Sequence, residues 1–104
     1  PTQEIGVWGV GHQSLTMFLE LDFISRLDFA IDSALSKQGR YLPGTNLRIE
    51  SPADLISYAN PLLIINASVY NIEVEKTVLR DFKHIKRWVM LDNTNITIKE
   101  RSTI

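Results

Sequence analysis

Four short apolar runs, separated by stretches in which hydrophobic residues recur at helical spacing, set the plan of this chain. Ile5-Gly6-Val7-Trp8, Leu27-Asp28-Phe29-Ala30-Ile31, Leu62-Leu63-Ile64-Ile65 and Trp88 to Leu91 read as strands. Asn46 to Ile49 allows a further short strand, and Ile96 to Ile98 either an edge strand or a trailing end. Between these runs the period changes. Leu15, Phe18 and Leu19 share one helical face after His12. Ser51-Pro52-Ala53-Asp54 has the N-cap residue, first-turn proline and early acid of a helix start. Asn71 to Lys86 places Val74, Val78, Phe82 and Ile85 on one stripe, with Glu73 and Glu75 at its start and Lys83, Lys86 and Arg87 at its end.

The order β-α-β-(β)-α-β-α-β predicts an α/β domain with a three-layer, Rossmann-like, doubly wound and mostly parallel sheet of about five strands. Leu62 to Ile65 is apolar at every position, so it is expected to be covered on both faces, in the centre of the sheet. Val7 and Ile64 are expected to be buried on neighbouring central strands. Trp8 and Trp88 lie within strand runs and are expected in the core rather than in a stacking platform. No repeat, linker or low-complexity tract divides residues 1–104, and a single domain is expected.

In such sheets ligands bind beyond the carboxyl ends of the strands, where strand order reverses. Three segments fall there. The first is Gly9-Val10-Gly11-His12-Gln13-Ser14, a glycine turn that opens a helix and could receive an anion. Asp32 lies 21 residues beyond Gly11, near the place of a ribose-binding acid in dinucleotide folds. Ser14 stands where that fingerprint has its third glycine, and the bulk of His12 and Gln13 disfavours close packing of a pyrophosphate. Both an NAD site and a plain structural turn are open at this point. The second segment is Asp32 to Thr45, which carries Lys37, Gln38, Gly39, Arg40 and Tyr41: two charge-assisted donors, an amide and a stacking face. Its alternative is a solvated loop. The third is Asn66 to Asn71, where Ser68 or Asn71 is expected to cap the following helix and leave Tyr70 facing the cleft.

Composition narrows the chemistry. Apolar content of 44% and charged content of 22% are globular values, and the net charge of -1 provides no global field for nucleic acid. There is no cysteine, which excludes disulfides, thiolate zinc sites and a cysteine nucleophile in this chain. No HExxH, GxSxG or phosphate-loop motif occurs, and no metal ligands cluster. Of the two histidines, His84 is expected to be exposed among cations, and His12 to position a ligand rather than to transfer protons. No run approaches the roughly 20 apolar residues that span a bilayer. The expectation is a cytoplasmic protein with no nucleic-acid or membrane partner, in which the N-x-S/T triplets at Asn66 and Asn95 have no glycan role.

"VWGVGHQSLTMF", "FAIDSALSKQGRYLPGT" and "IESPADL" together resemble the C-terminal domain of S-adenosylmethionine-dependent C-methyltransferases acting on nucleotide-linked deoxysugars. The likeness runs from about Ile5 to Leu91. Its most specific part is Lys37-Gln38-Gly39-Arg40-Tyr41 with Pro43-Gly44-Thr45, where the family has K-Q-G-[RK]-Y-x-P-G-T. The resemblance implies a Rossmann-like domain that closes over a nucleotide-sugar, with Arg40 and Lys37 as anion contacts. It further implies a parent chain whose methyltransferase domain is this domain's partner, and whose other domains hold S-adenosylmethionine and zinc. By that reading residues 1–104 are an excised C-terminal domain, or a stand-alone relative of it, that binds substrate and is not itself catalytic; the alternative is a stand-alone nucleotide- or NAD-binding Rossmann-like module without methyl-transfer activity.

Overall fold

The computed structural model describes residues 3–10, 24–92 and 95–102. Among them six strands form one sheet: β1 (Ile5–Trp8), β2 (Phe29–Ile31), β3 (Ile49–Glu50), β4 (Leu62–Ile65), β5 (Arg87–Leu91) and β6 (Ile96–Glu100). Their order is β3-β2-β1-β4-β5-β6. β1 through β5 run parallel, and β6 is antiparallel to β5. That last reversal follows from the connection. Only four residues, Asp92 to Asn95, separate the two strands, and the Asn95 N–H donates to Asp92 Oδ1 at 2.7 Å. A link this short joins only antiparallel neighbours, because a parallel crossover needs a dozen residues or more.

Val7 and Ile64 are direct partners in the β1–β4 register, and both are buried. The pleat sends alternate residues to two cores. Trp8, Phe29, Ile31, Leu63, Ile65 and Trp88 pack on one face, and Val7, Ala30, Ile49, Ile64 and Leu91 on the other. The apolar run of β4 therefore buries side chains on both sides, as its composition predicts. Gly6 is part of the same packing. It pairs with Phe29, whose ring occupies the space a Cβ would need and stacks on Tyr58 with centroids 4.0 Å apart.

The first face is covered by α1 (Asn71–Asp81), through Val74 and Val78, and by Leu55 of a 3₁₀ helix, Pro52–Ser57. The latter has the expected start: the Asp54 carboxylate accepts from the Ser51 N–H at 3.1 Å and hydroxyl at 3.2 Å. α1 is shorter than its apolar stripe. Phe82 leaves helical space at φ -125, ψ 62, and a turn then brings Ile85 back into the core. Phe82 and Ile85 keep their buried places without a helical backbone, so the stripe overstates the helix. On the second face lie Ile24, Leu27 and Leu42 among the described residues.

Several expectations change. His84 is half-buried rather than exposed, with Nε2 3.2 Å from the Leu55 carbonyl oxygen. Because α1 ends at Asp81, Lys83, Lys86 and Arg87 lie beyond it; its last turn holds Arg80, and Arg101 comes to its end from beyond β6. The Arg101 guanidinium donates to the carbonyls of Val78 (3.1 Å), Phe82 (3.2 Å) and Ile85 (2.8 Å). Neither Ser68 nor Asn71 caps α1. The Asn71 amide instead accepts from the Ala67 N–H at 2.6 Å and donates to the Leu91 carbonyl at 2.7 Å, tying the loop after β4 to the last residue of β5. The Leu15–Leu19 helix lies outside the described residues.

Candidate functional site

The parallel strands release their chains at one edge of the sheet, and the connections diverge between β1 and β4. β1 leads toward β2 on one side, whereas β4 leads toward β5 on the other. A cleft of about 630 Å³ opens at this point. Its size lies within the roughly 300–1,000 Å³ of small-molecule sites, and its place is where α/β sheets bind ligands.

The floor is Trp8, Gly9 and Asn66, at the ends of β1 and β4. The Gly9 N–H donates to the Ile31 carbonyl (2.8 Å), and the Asn66 N–H to the Trp8 carbonyl (2.8 Å). Gly9 has φ +107, and a Cβ there would collide with the Asn66 carbonyl oxygen. Any side chain would force apart the two loops that close the floor. Trp8 is buried, and its indole N–H donates to Ser33 Oγ at 3.3 Å.

One wall follows β2 and contains Asp32, Ser33, Ala34 and Lys37. Asp32 is buried and holds this wall together. Its Oδ2 accepts from the Val10 N–H at 3.0 Å and its Oδ1 from the Ala34 N–H at 2.8 Å. Lys37 Nζ lies 3.9 Å from Asp32 Oδ2, a loose ion pair that leaves ammonium donors for a ligand. The opposite wall is a 3₁₀ turn, Ser68–Tyr70, running into α1, and it presents Tyr70, Glu73, Val74 and Thr77 at helical spacing. Ser68 sits at φ 55, in left-handed space that a non-glycine residue adopts at a cost of about 1–3 kcal/mol. Tyr70 is 65% exposed at the rim.

Gly9, Asp32, Lys37, Ser68 and Tyr70, all singled out in the sequence, thus line one cleft. Gln38, Gly39, Arg40 and Tyr41 do not. The Gln38 amide donates to the Asp32 carbonyl at 2.9 Å, which stabilises the loop rather than facing the cleft. From Gly39 the chain doubles back on itself. The Gly39 N–H donates to the Ile49 carbonyl, the Ile49 N–H to the Arg40 carbonyl, and Tyr41 bridges to Arg48. This excursion turns at Pro43-Gly44 and plants Leu42 in the second core. The Arg40 side chain is exposed on it, and Tyr41 lies under the Arg48 guanidinium, 5.4 Å from centroid to carbon. The motif residues past Gln38 are therefore occupied in forming a hairpin, not in lining the cleft. Gly11, His12 and Gln13 lie outside the described residues.

Glu73 and Thr77 escape a motif search, because acids and threonines on a helix are ordinary. The signal that reaches them is positional: Tyr70, Glu73 and Thr77 share the face that begins at the strand edge. Among the described residues no group of three or more His, Cys, Asp or Glu side chains could hold a metal ion, and no helix is long and apolar enough to cross a membrane. No protein-family model matches the sequence, and no curated protein matches it.

Proposed function

We propose that this chain is a nucleotide-sugar-binding domain, the C-terminal substrate-side part of an S-adenosylmethionine-dependent C-methyltransferase. The observation that carries the reading is the cleft between the ends of β1 and β4, walled by Lys37 on one side and by Ser68, Tyr70 and Glu73 on the other. It is lined by parts of all three segments that follow the parallel strands: Gly9, Asp32 to Lys37, and Asn66 to Tyr70. The strand order β3-β2-β1-β4-β5, with cores on both faces, supports the further reading of a three-layer, doubly wound, Rossmann-like domain.

In this reading the domain binds and orients, and methyl transfer belongs to the parent's other domains, together with S-adenosylmethionine and zinc. Lys37 provides the charge for phosphate, the Gly9 and Asn66 floor admits the ligand closely, and Tyr70 offers an aromatic face at the rim. An NAD site is the weaker reading. The Asp32 carboxylate that would hold a ribose already accepts two backbone N–H groups and neighbours Lys37.

Titration followed by amide NMR tests the reading. Uridine or thymidine diphosphate glucose should give saturable shifts at Gly9, Ser33, Lys37 and Ser68, whereas S-adenosylmethionine should leave the spectrum unchanged. Shifts produced by NAD and not by the nucleotide-sugars would transfer the site to the dinucleotide reading. An unchanged spectrum with all of them would remove the nucleotide altogether.

A further inference from the structure

The two walls of the cleft differ in charge. Lys37 is the one cation among the described lining residues, and it stands on the β2 side. Glu73 faces it from α1, and its carboxylate has no hydrogen-bond or ion-pair partner among the described residues. Glu73 also lies in the first turn of α1, so it places an acid at the positive helix end where a phosphate would otherwise gain most. The Asp32 carboxylate, 3.9 Å from Lys37, offsets part of that charge but already accepts from the Val10 and Ala34 N–H groups, so an anion finds its one cation on the Lys37 wall and is disfavoured on the helix wall. What a free carboxylate can do there is accept from hydroxyl groups, two at once from a vicinal diol, by charge-assisted hydrogen bonds. Tyr70, one turn earlier on the same wall, adds an apolar ring face of the kind a sugar's C–H face can cover.

We infer that the ligand crosses the cleft with a fixed polarity: its diphosphate on the Lys37 wall and the hydroxyls of its sugar on Glu73. This rests on the nucleotide-sugar reading and adds to it the residue that selects the sugar. Glu73 is then a specificity-determining residue, and it would discriminate a glycosylated nucleotide from the bare nucleoside diphosphate.

The test compares affinities of wild type, Glu73→Gln and Lys37→Met for uridine diphosphate and uridine diphosphate glucose, by calorimetry on the whole chain. Replacing the Glu73 carboxylate by an amide removes charge-assisted acceptors at an exposed site, so the nucleotide-sugar should bind about three- to tenfold more weakly. Bare uridine diphosphate should bind Glu73→Gln as well as wild type or slightly better, since a like charge has been removed. Lys37→Met should weaken both ligands by a similar factor. Glu73 is exposed and packs no core, and thermal melts of each variant would show the fold retained. If Glu73→Gln tightened or weakened both ligands equally, the polarity would be wrong while nucleotide binding stood. Failure of wild type to bind either ligand would overturn the site reading and this inference together.

Discussion

Tyr58 shows how much one side chain can connect. Its ring stacks on Phe29, which in turn fills the space over Gly6, and its hydroxyl donates to both Glu50 carboxylate oxygens, at 3.0 and 2.8 Å. Burial, and then the Glu50 carboxylate, push the phenol well above its ordinary value of about 10. The sign follows from which state ionises first. The unfolded phenol loses its proton near pH 10, while the folded one keeps it. Stability from the neutral phenol is therefore complete below about pH 10 and is lost as pH rises toward the folded value. Urea denaturation at pH 9 and pH 11 should show wild type losing more stability than Tyr58→Phe, by about 1 kcal/mol or less because the hydroxyl is partly solvated. At neutral pH the same variant should be less stable by about 0.5–1.5 kcal/mol, for the lost hydrogen bond. Parallel pH dependence in the two proteins would mean the phenol is solvated in the native state.

At the scale of elements, α1 depends on a residue far from it in sequence. The last carbonyls of a helix run short of intrahelical donors; here the Phe82 N–H reaches the Val78 carbonyl and the Ile85 N–H that of Phe82, and Arg101, beyond β6, adds a charged donor to both and to the Leu79 and Ile85 carbonyls. The guanidinium also lies over the Trp88 ring, at 5.7 Å. One side chain thereby joins the end of β6, the end of α1 and the start of β5. Arg101→Ala should destabilise the fold by about 1–3 kcal/mol, since several carbonyls lose a charged donor at once. Amide exchange should quicken at Phe82 and Ile85, the two turn positions beside those carbonyls. A midpoint unchanged in chemical denaturation would show that water replaces the guanidinium without loss.

For the whole molecule the decisive feature is where the strand order turns. β1 and β4 are central and buried, and the chain leaves them in opposite directions, so the cleft lies over the most protected part of the sheet. β6 is the opposite case, an edge strand exposed at every residue and paired on one side only. Protection should follow this gradient. Amides of Val7, Ile64 and Ile65 should exchange only through global unfolding, and the slowest amide of β6 at least about tenfold faster, through local opening. Equal rates in β4 and β6 would mean that the sheet opens as a unit.

Patterns that act over a few residues were enough to derive the α/β class, the parallel core, the two-sided burial of Leu62 to Ile65 and the loops that meet at the sheet edge. They suffice because hydrophobic burial follows periodicity, and an apolar residue needs only an apolar neighbour, not a particular one. Polar pairing has no such local trace. Nothing near Arg101 indicates α1, nothing near Asn71 indicates Leu91, and the glycines and cations of Lys37 to Thr45 read alike as a ligand loop or as a hairpin. The tertiary structure decided between them, since hydrogen bonds require specific atoms at specific distances, and those are set only when distant segments meet. It brought Lys37 to the cleft, carried Arg40 away from it, and set Glu73 opposite Lys37 across the carboxyl ends of β1 and β4.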